Sequence, residues 1–158
     1  MNKGFGIFLT GIAFLFSSCT QIDLYEKTAN IPQHKWLSSF RPAFTFTIND
    51  TSRPYQVFIT LRHSDKYHYR NLYVNLITQQ PGSDTTQTGR YDLPLGTDDR
   101  GWMGTGMDDI YDHRIALTPP GQLFYFRKKG DYRFTIEQIM REDPLENVMN
   151  VGIRLEKK

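Results

Sequence analysis

One thiol stands directly after an apolar segment near the start of the chain, and its position is the most specific chemical signal in the sequence. Cys19 is the only cysteine, and it follows Phe16, Ser17 and Ser18. Lys3 gives a positive start, residues 4–16 are mostly apolar, and small side chains before a cleavage point suit a signal peptidase. The run is shorter than the roughly 20 apolar residues that a membrane-spanning helix needs. The pattern therefore predicts a secretion signal over residues 1–18.

The residues around Cys19 resemble the lipobox of bacterial lipoproteins. In that class the signal peptide is cleaved before the cysteine, which carries a diacylglycerol and becomes the acylated first residue. Phe16 departs from the motif, where Leu is the commonest residue. The alternative is a plain signal peptide, but an exported protein seldom leaves one unpaired thiol near its new terminus. The resemblance implies lipidation of Cys19 and a membrane anchor that does not span the bilayer.

A second group of residues that could bind a ligand, made of glycines and carboxylates, lies between positions 98 and 114. Its glycines have neither the spacing of a dinucleotide-binding loop nor the lysine of a phosphate-binding loop. Its carboxylates offer oxygen atoms of the kind that calcium prefers, but they do not follow the EF-hand pattern. They are Asp98, Asp99, Asp108, Asp109 and Asp112. We therefore favour a solvated acidic loop and expect no metal site.

The sequence holds no recognisable catalytic motif. Its histidines lack the spacing of zinc ligands, so we expect them to be exposed or packed side chains. They are His34, His63, His68 and His113. No Gly-x-Ser-x-Gly turn is present, and Cys19 is committed to lipid, whereas a pair of catalytic carboxylates is a property of the fold and stays open. We predict a protein that is not an enzyme, with no catalytic residue and no cofactor.

Trp102 has two competing interpretations. It lies among glycines where strand alternation fails, so the ring either plugs an end of the core or serves as an exposed anchor for a partner. We favour packing for Trp102 and assign the contact with a partner to Asp109, Tyr111 and Arg141, keeping Trp102 as a further candidate.

Composition restricts the class of protein. The chain has 19 Lys and Arg residues and 17 Asp and Glu residues, for a net charge of +2. This charge creates no strong positive electrostatic field that would attract nucleic acid, so we expect no nucleic-acid partner. Without a second cysteine, stability must come from packing. Aromatic residues make up 14% of the chain, which suits the pleated and half-buried surface of β-strands.

Alternation of apolar and polar residues with a period of two predicts the elements that position these side chains. The predicted strands cover residues 44–48, 55–61, 72–76, 91–95, 110–117, 132–136 and 151–155, and residues 123–126 form a further short apolar segment. We expect residues 44–48 and 55–61 to form an antiparallel hairpin, residues 79–89 to be a polar loop, and residues 140–150 to be the one place for a helical turn. The prediction is an all-β chain with a single antiparallel β-sandwich or jelly-roll-like domain of about eight strands. That domain covers residues 40–158, behind a lipidated tether with a possible edge strand over 19–39.

Several stretches in the same order resemble the gliding-motility lipoprotein GldH family of the Bacteroidetes. They are Asn71-Leu72-Tyr73, Pro81-Gly82 with Asp84-Thr85, residues 101–106 with Asp109-Ile110-Tyr111, residues 130–145 and residues 151–157, together with the lipobox at Cys19. The resemblance implies a lipid-anchored protein of the cell envelope, which we expect at the outer membrane. It also implies a role in gliding motility or in the linked type IX secretion machinery. It supplies no catalytic residue.

The resulting hypothesis is a lipid-anchored β-sandwich that binds another envelope component, with a protein partner in the gliding or secretion apparatus. The alternative is a carbohydrate-binding module of the envelope, which the aromatic and acidic loops permit, with a glycan as its ligand.

Overall fold

A computed structural model describes residues 24–158, and these residues form an almost entirely β protein. Cys19 and the predicted signal peptide lie outside the described residues. The helical content of the described part is one 3₁₀ turn at Pro32–His34. No helix within residues 24–158 is long and apolar enough to cross a membrane. The predicted all-β class is confirmed.

Thirteen strands follow one another along residues 24–158, and every pairing between them is antiparallel. They are β1 (Leu24–Asn30), β2 (Lys35–Trp36), β3 (Ala43–Ile48), β4 (Tyr55–Ser64), β5 (Asn71–Gln79), β6 (Thr86–Pro94), β7 (Gly96–Thr97), β8 (Gly101–Trp102), β9 (Thr105–Met107), β10 (Ile110–Ala116), β11 (Gly130–Gln138), β12 (Leu145–Glu146) and β13 (Val148–Lys157).

Two main sheets pack face to face. The five-stranded sheet has the order β1-β13-β4-β10-β9, and the four-stranded sheet has the order β3-β11-β5-β6. Two small ladders, β2 with β12 and β7 with β8, lie outside these sheets. One cluster of buried apolar side chains joins the two main sheets, as expected for a sandwich.

The core is rich in aromatic side chains that follow the alternation seen in the sequence. Phe46 of β3 and Phe134 of β11 are both buried, as the apolar alternation over residues 44–48 and 132–136 predicts. Their rings meet edge to face with centroids 4.9 Å apart, and Phe46 also stacks on Tyr132 with centroids 6.0 Å apart. Such aromatic pairs add to the stabilisation that burial provides.

The predicted hairpin of residues 44–48 with residues 55–61 is wrong. β3 pairs with β11 in the four-stranded sheet, whereas β4 pairs with β10 and β13 in the other sheet. The connector between β3 and β4 crosses from one sheet to the other, and Asp50 turns it by accepting a hydrogen bond from the Ser52 amide at 2.9 Å. Alternation identifies the inward side chains of a strand, but it does not identify the neighbouring strand.

The helical turn predicted for residues 140–150 is also wrong. β12 and the start of β13 occupy this stretch, and the Asp143 carboxylate ties it to the segment after β2. That carboxylate accepts hydrogen bonds from the amide and hydroxyl of Ser38 at 2.9 and 2.6 Å. Pro144 disfavours helical backbone at the residue before it, which explains why no helix begins here.

The two open sides of the sandwich differ. On one side β1 forms the predicted edge strand, and the Tyr25 hydroxyl donates to the Thr45 carbonyl at 3.1 Å, so β1 and β3 are joined across the gap. On the other side β6 ends the four-stranded sheet. The polar loop predicted for 79–89 is shorter than expected, because β5 continues to Gln79 and β6 begins at Thr86.

Candidate functional site

Two histidine side chains meet inside the five-stranded sheet near one end of the sandwich. His63 is in β4 and His113 is in the adjacent strand β10, and they are 0% and 5% exposed. Their Nε2 atoms are 2.8 Å apart and their rings stack with centroids 4.9 Å apart. The pair is a direct hydrogen bond between two buried imidazoles.

The hydrogen bonds around the pair determine where its protons lie. The Nδ1 atom of His63 is 2.7 Å from the Ser64 carbonyl, which can only accept, so Nδ1 carries a proton. A neutral His63 then has a bare Nε2, which accepts from the Nε2–H of His113. Both rings are neutral in this arrangement.

Burial keeps the pair neutral. Two effects lower the pKa of His113 to about 4: the larger is desolvation by burial, and the smaller is the charge of the nearby His63. Desolvation also lowers the pKa of His63, although its bond to the Ser64 carbonyl opposes the shift. The nearby Asp112 carboxylate favours protonation of both rings but does not overcome burial.

Aromatic rings surround the histidine pair. Trp102 meets His63 edge to face with centroids 4.5 Å apart, and Tyr67 and Tyr111 lie 5.1 and 5.8 Å from the same ring. The Tyr67 hydroxyl donates to the Asn71 carbonyl at 3.0 Å, and burial raises the pKa of Tyr67. We call His63, Tyr67, Trp102, Tyr111 and His113 the aromatic–histidine cluster.

Trp102 is half-buried and packs against the main core. The Arg70 guanidinium lies 4.5 Å from its ring centroid, within the range of a cation–π interaction. Arg70 in turn lies 3.6 Å from the Asp98 carboxylate. Trp102 therefore fills one end of the sandwich beneath an arginine.

Gly104 allows the chain to pass directly over the histidine pair. A Cβ atom at this position would lie 2.5 Å from the Asp112 carbonyl and 2.9 Å from the His113 ring. Real Cβ atoms essentially never come that close, so a larger residue would displace β10 or the ring. The glycine is required by close approach rather than by flexibility.

The other predicted contact residues lie around this cluster in different ways. Tyr111 is part of it and is half-buried. Asp109 is in the turn between β9 and β10, where its carbonyl accepts from the Asp65 amide at 2.7 Å. Arg141 is exposed on the segment after β11, and its charge acts on Tyr69, which contacts Tyr67 with centroids 5.9 Å apart.

An exposed apolar surface lies beside the cluster. Met103 is 61% exposed and Met107 is 79% exposed, and Ile110 is paired with Met107 across the β9–β10 turn. We call Met103, Met107 and Ile110 the methionine hairpin. Methionine is flexible and polarisable, and exposed groups of apolar side chains often mark contact surfaces.

Three of the carboxylates that were weighed as calcium ligands, Asp98, Asp99 and Asp112, lie near arginine side chains. The Arg62 guanidinium donates to both carboxylate oxygens of Asp112 in a bidentate salt bridge, with N to O distances of 2.6 and 2.7 Å. Asp99 lies 3.7 Å from Arg100. Within residues 24–158, no three histidine, cysteine or acidic side chains are grouped so as to hold a metal ion.

The sequence interpretation missed the histidine pair, although a signal for it was present. His63 lies two and four residues after the buried Leu61 and Ile59 of β4, so all three share one face of the strand. His113 lies two residues after Tyr111 of β10 and shares its face. Alternation therefore predicts that both rings point inward. The pairing of β4 with β10, which joins residues 50 positions apart, was not predictable from one sequence.

These features define a β-sandwich domain with one end filled by rings and with an exposed apolar hairpin beside that end. Residues 23–155 match the model of the family described as GldH lipoprotein. The chain is 27% identical over 166 residues to "Gliding motility lipoprotein GldH homolog" of Christiangramia forsetii, covering 99% of this chain and 98% of the relative. It is 25% identical over 163 residues to "Gliding motility lipoprotein GldH" of Flavobacterium johnsoniae, with the same coverage. The chain belongs to the GldH lipoprotein family, which confirms the resemblance noted from the sequence.

Proposed function

We propose that this protein is a lipid-anchored component of the cell envelope that supports gliding motility by binding another envelope component. The observation that carries this proposal is the match to the GldH lipoprotein family over residues 23–155. The two relatives are named for gliding motility and for lipoprotein character, and they align with nearly the whole chain.

The anchor is Cys19, and the membrane is the outer membrane. Only residues 20–23 separate Cys19 from β1, which begins at Leu24. An extended chain spans at most about 3.6 Å per residue, so this linker holds the sandwich within roughly 20 Å of the lipid. The partner is therefore a protein at or in the same membrane, in the gliding apparatus or the linked type IX secretion machinery.

The methionine hairpin is the contact surface that we assign to this partner. Its side chains are exposed and apolar; Met107 and Ile110 are paired across β9 and β10, and Met103 lies just before β9. Asp109 adds a charge at the turn, Tyr111 supports the hairpin from the cluster, and Arg141 lies on the neighbouring segment. Trp102 supports the surface through packing.

A second candidate function is binding of an envelope glycan. A groove of about 680 Å³ crosses the five-stranded sheet near β9, and charged and hydroxyl side chains line it, among them Glu26, Thr28, Arg62, Asp112 and Arg114. Such groups can hydrogen-bond sugar hydroxyls. Among the described residues, no Phe, Tyr or Trp on which a sugar would stack lines the groove, so we place this candidate second.

Affinity capture from native envelopes tests the proposal. The bait is the full chain, as wild type, as Met107→Asp and as the matched control Leu37→Asp, which places the same charge on an exposed apolar residue elsewhere. We expect one envelope protein in stoichiometric amount with the wild type and the control, and at least a tenfold loss with Met107→Asp. Retention of a glycan without a protein would favour the second candidate.

A further inference from the structure

β6 is a long sheet edge without a neighbouring strand on one side. It has nine residues and ends the four-stranded sheet within the part of the chain that the structure describes. The facing edge of the other sheet ends in β9, which has only three residues. On the opposite side of the sandwich, Tyr25 joins β1 to β3. The β6 side is therefore the open side of the sandwich.

The register shows which backbone groups of β6 point away from β5. The Leu95 amide donates to the Arg70 carbonyl at 2.8 Å, next to the register pair of Asn71 with Pro94. Bonded and non-bonded pairs alternate along an antiparallel ladder, so Gln87 and the other odd-numbered residues of β6 bond to β5. The even-numbered residues direct their N–H and C=O groups outward. They are Thr86, Thr88, Arg90 and Asp92.

The first half of this edge lacks the usual protection against an added strand. Natural edges are blunted by charged side chains, by proline, by bulges or by a covering segment. β6 contains no lysine, its one proline is its last residue, Pro94, and its register with β5 is continuous. Its two charged side chains lean back over β5. The Arg90 guanidinium lies 5.0 Å from the Tyr73 ring centroid, and the Asp92 carboxylate accepts from Asn71 at 2.7 Å. The first half of the strand, from Thr86 to Gly89, carries no charge.

An apolar cleft runs beside that uncharged half. Its volume is about 290 Å³, and its lining includes Leu76, Gly89, Tyr91, Leu117 and Phe126, with the exposed Phe124 at its margin. Thr118 also lines it, and the Thr118 hydroxyl is buried without a hydrogen-bond partner within the described residues. Buried polar atoms are nearly always bonded, so the Thr118 hydroxyl is an exception within the described residues.

We infer that β6 receives an extended segment of another protein as an additional strand, and that an apolar side chain of this segment fills the cleft. Unpaired N–H and C=O groups at alternate positions recognise the backbone of an extended peptide. A strand directs every second side chain to the same face, so the segment carries apolar residues at alternate positions on the side that meets Leu117 and Phe124. The added strand closes the open side of the sandwich. This inference rests on the proposed function, since it gives the chemistry of contact with a protein partner.

A library of random twelve-residue peptides displayed on phage tests this inference on the full chain purified in detergent. The decisive variant is Thr88→Pro, which removes an outward N–H without removing a bond to β5, so the edge strand tolerates it. The matched control is Thr28→Pro on β1. There the Ile31 amide donates to the Met149 carbonyl at 2.9 Å, so Thr28 also directs its N–H outward, at the opposite edge.

We expect wild-type protein and Thr28→Pro to enrich peptides with apolar residues at alternate positions, and Thr88→Pro to bind them at least tenfold more weakly. In hydrogen exchange, a synthetic copy of an enriched peptide should slow the Thr86, Thr88 and Arg90 amides at least tenfold. The Gln87 and Tyr91 amides, which are bonded to β5, should change little.

Three outcomes would overturn the inference: no enrichment, equal binding by Thr88→Pro, or protection without the alternating pattern. Protection of the same amides that rises with protein concentration and needs no peptide would show instead that a second copy of this chain occupies the edge. These measurements do not depend on gliding or on the methionine hairpin, so their failure is distinguishable from failure of the proposed function.

Discussion

His63 of β4 and His113 of β10 share one hydrogen bond of 2.8 Å between their Nε2 atoms, although they are 50 residues apart in the chain. One ring can donate to the other only while the accepting Nε2 is unprotonated. Protonation of both rings would place two positive charges in contact inside the sheet. The pair therefore makes the stability of the fold depend on pH.

The free energy of unfolding should fall as the pH is lowered from about 6.5 to about 4. The folded-state pKa of His113 is lowered to about 4, so between these values the unfolded chain binds a proton that the folded chain does not. Protonation of the unfolded state then costs on the order of 2 to 3 kcal/mol of stability. Chemical denaturation at a series of pH values measures it.

The variant His113→Gln should flatten that dependence, because it removes the ring whose pKa burial lowers. The carboxylates with lowered pKa values act at lower pH. For Asp50, hydrogen bonds from Ser52 lower the pKa to about 2. An unaltered slope in His113→Gln would contradict the assignment to the histidine pair.

Trp102→Ala should destabilise the domain by about 2 to 4 kcal/mol, because it removes a ring that packs on the core and on His63. Trp102→Phe should recover part of the loss. Met107→Ala serves as the exposed control and should change stability by less than about 0.5 kcal/mol. Thermal melting beside partner capture decides between packing and contact. An unchanged melt with lost capture would make Trp102 a binding anchor.

Phe46→Ala should cost about 3 to 5 kcal/mol, because the ring is buried between Tyr132 and Phe134 and leaves a cavity. Phe124→Ala should cost much less, since that side chain is exposed. Urea unfolding of both variants gives the comparison. Equal losses of stability in the two variants would show that Phe46 stabilises the core less than its burial indicates.

Alternation predicted the class of the fold and the inward side chains, because burial of one sheet face imposes a period of two on the sequence. It did not predict which strands are neighbours, so the hairpin of β3 with β4 was wrong. The histidine pair arises from the pairing of β4 with β10, and the exposed methionine hairpin arises from a three-residue edge strand. Both depend on contacts between distant parts of the chain, which the period of a single strand does not encode.

Cys19→Ala should abolish lipidation, because Cys19 is the only thiol in the chain and follows the apolar segment and two serines. Metabolic labelling with a palmitate analogue measures it. The wild type should be labelled, and Cys19→Ser should behave like Cys19→Ala. Equal labelling of wild type and Cys19→Ala would end the lipoprotein interpretation.

The most direct test of the central claim is the gliding speed of single cells in which the chromosomal copy of this gene is deleted or replaced. We expect the deletion to abolish gliding and wild type or Leu37→Asp to restore it. Met107→Asp should reduce the speed at least tenfold with a normal amount of protein in the envelope, because a charge on the methionine hairpin disrupts the contact with the partner. Gliding at wild-type speed in the deletion strain would contradict the account.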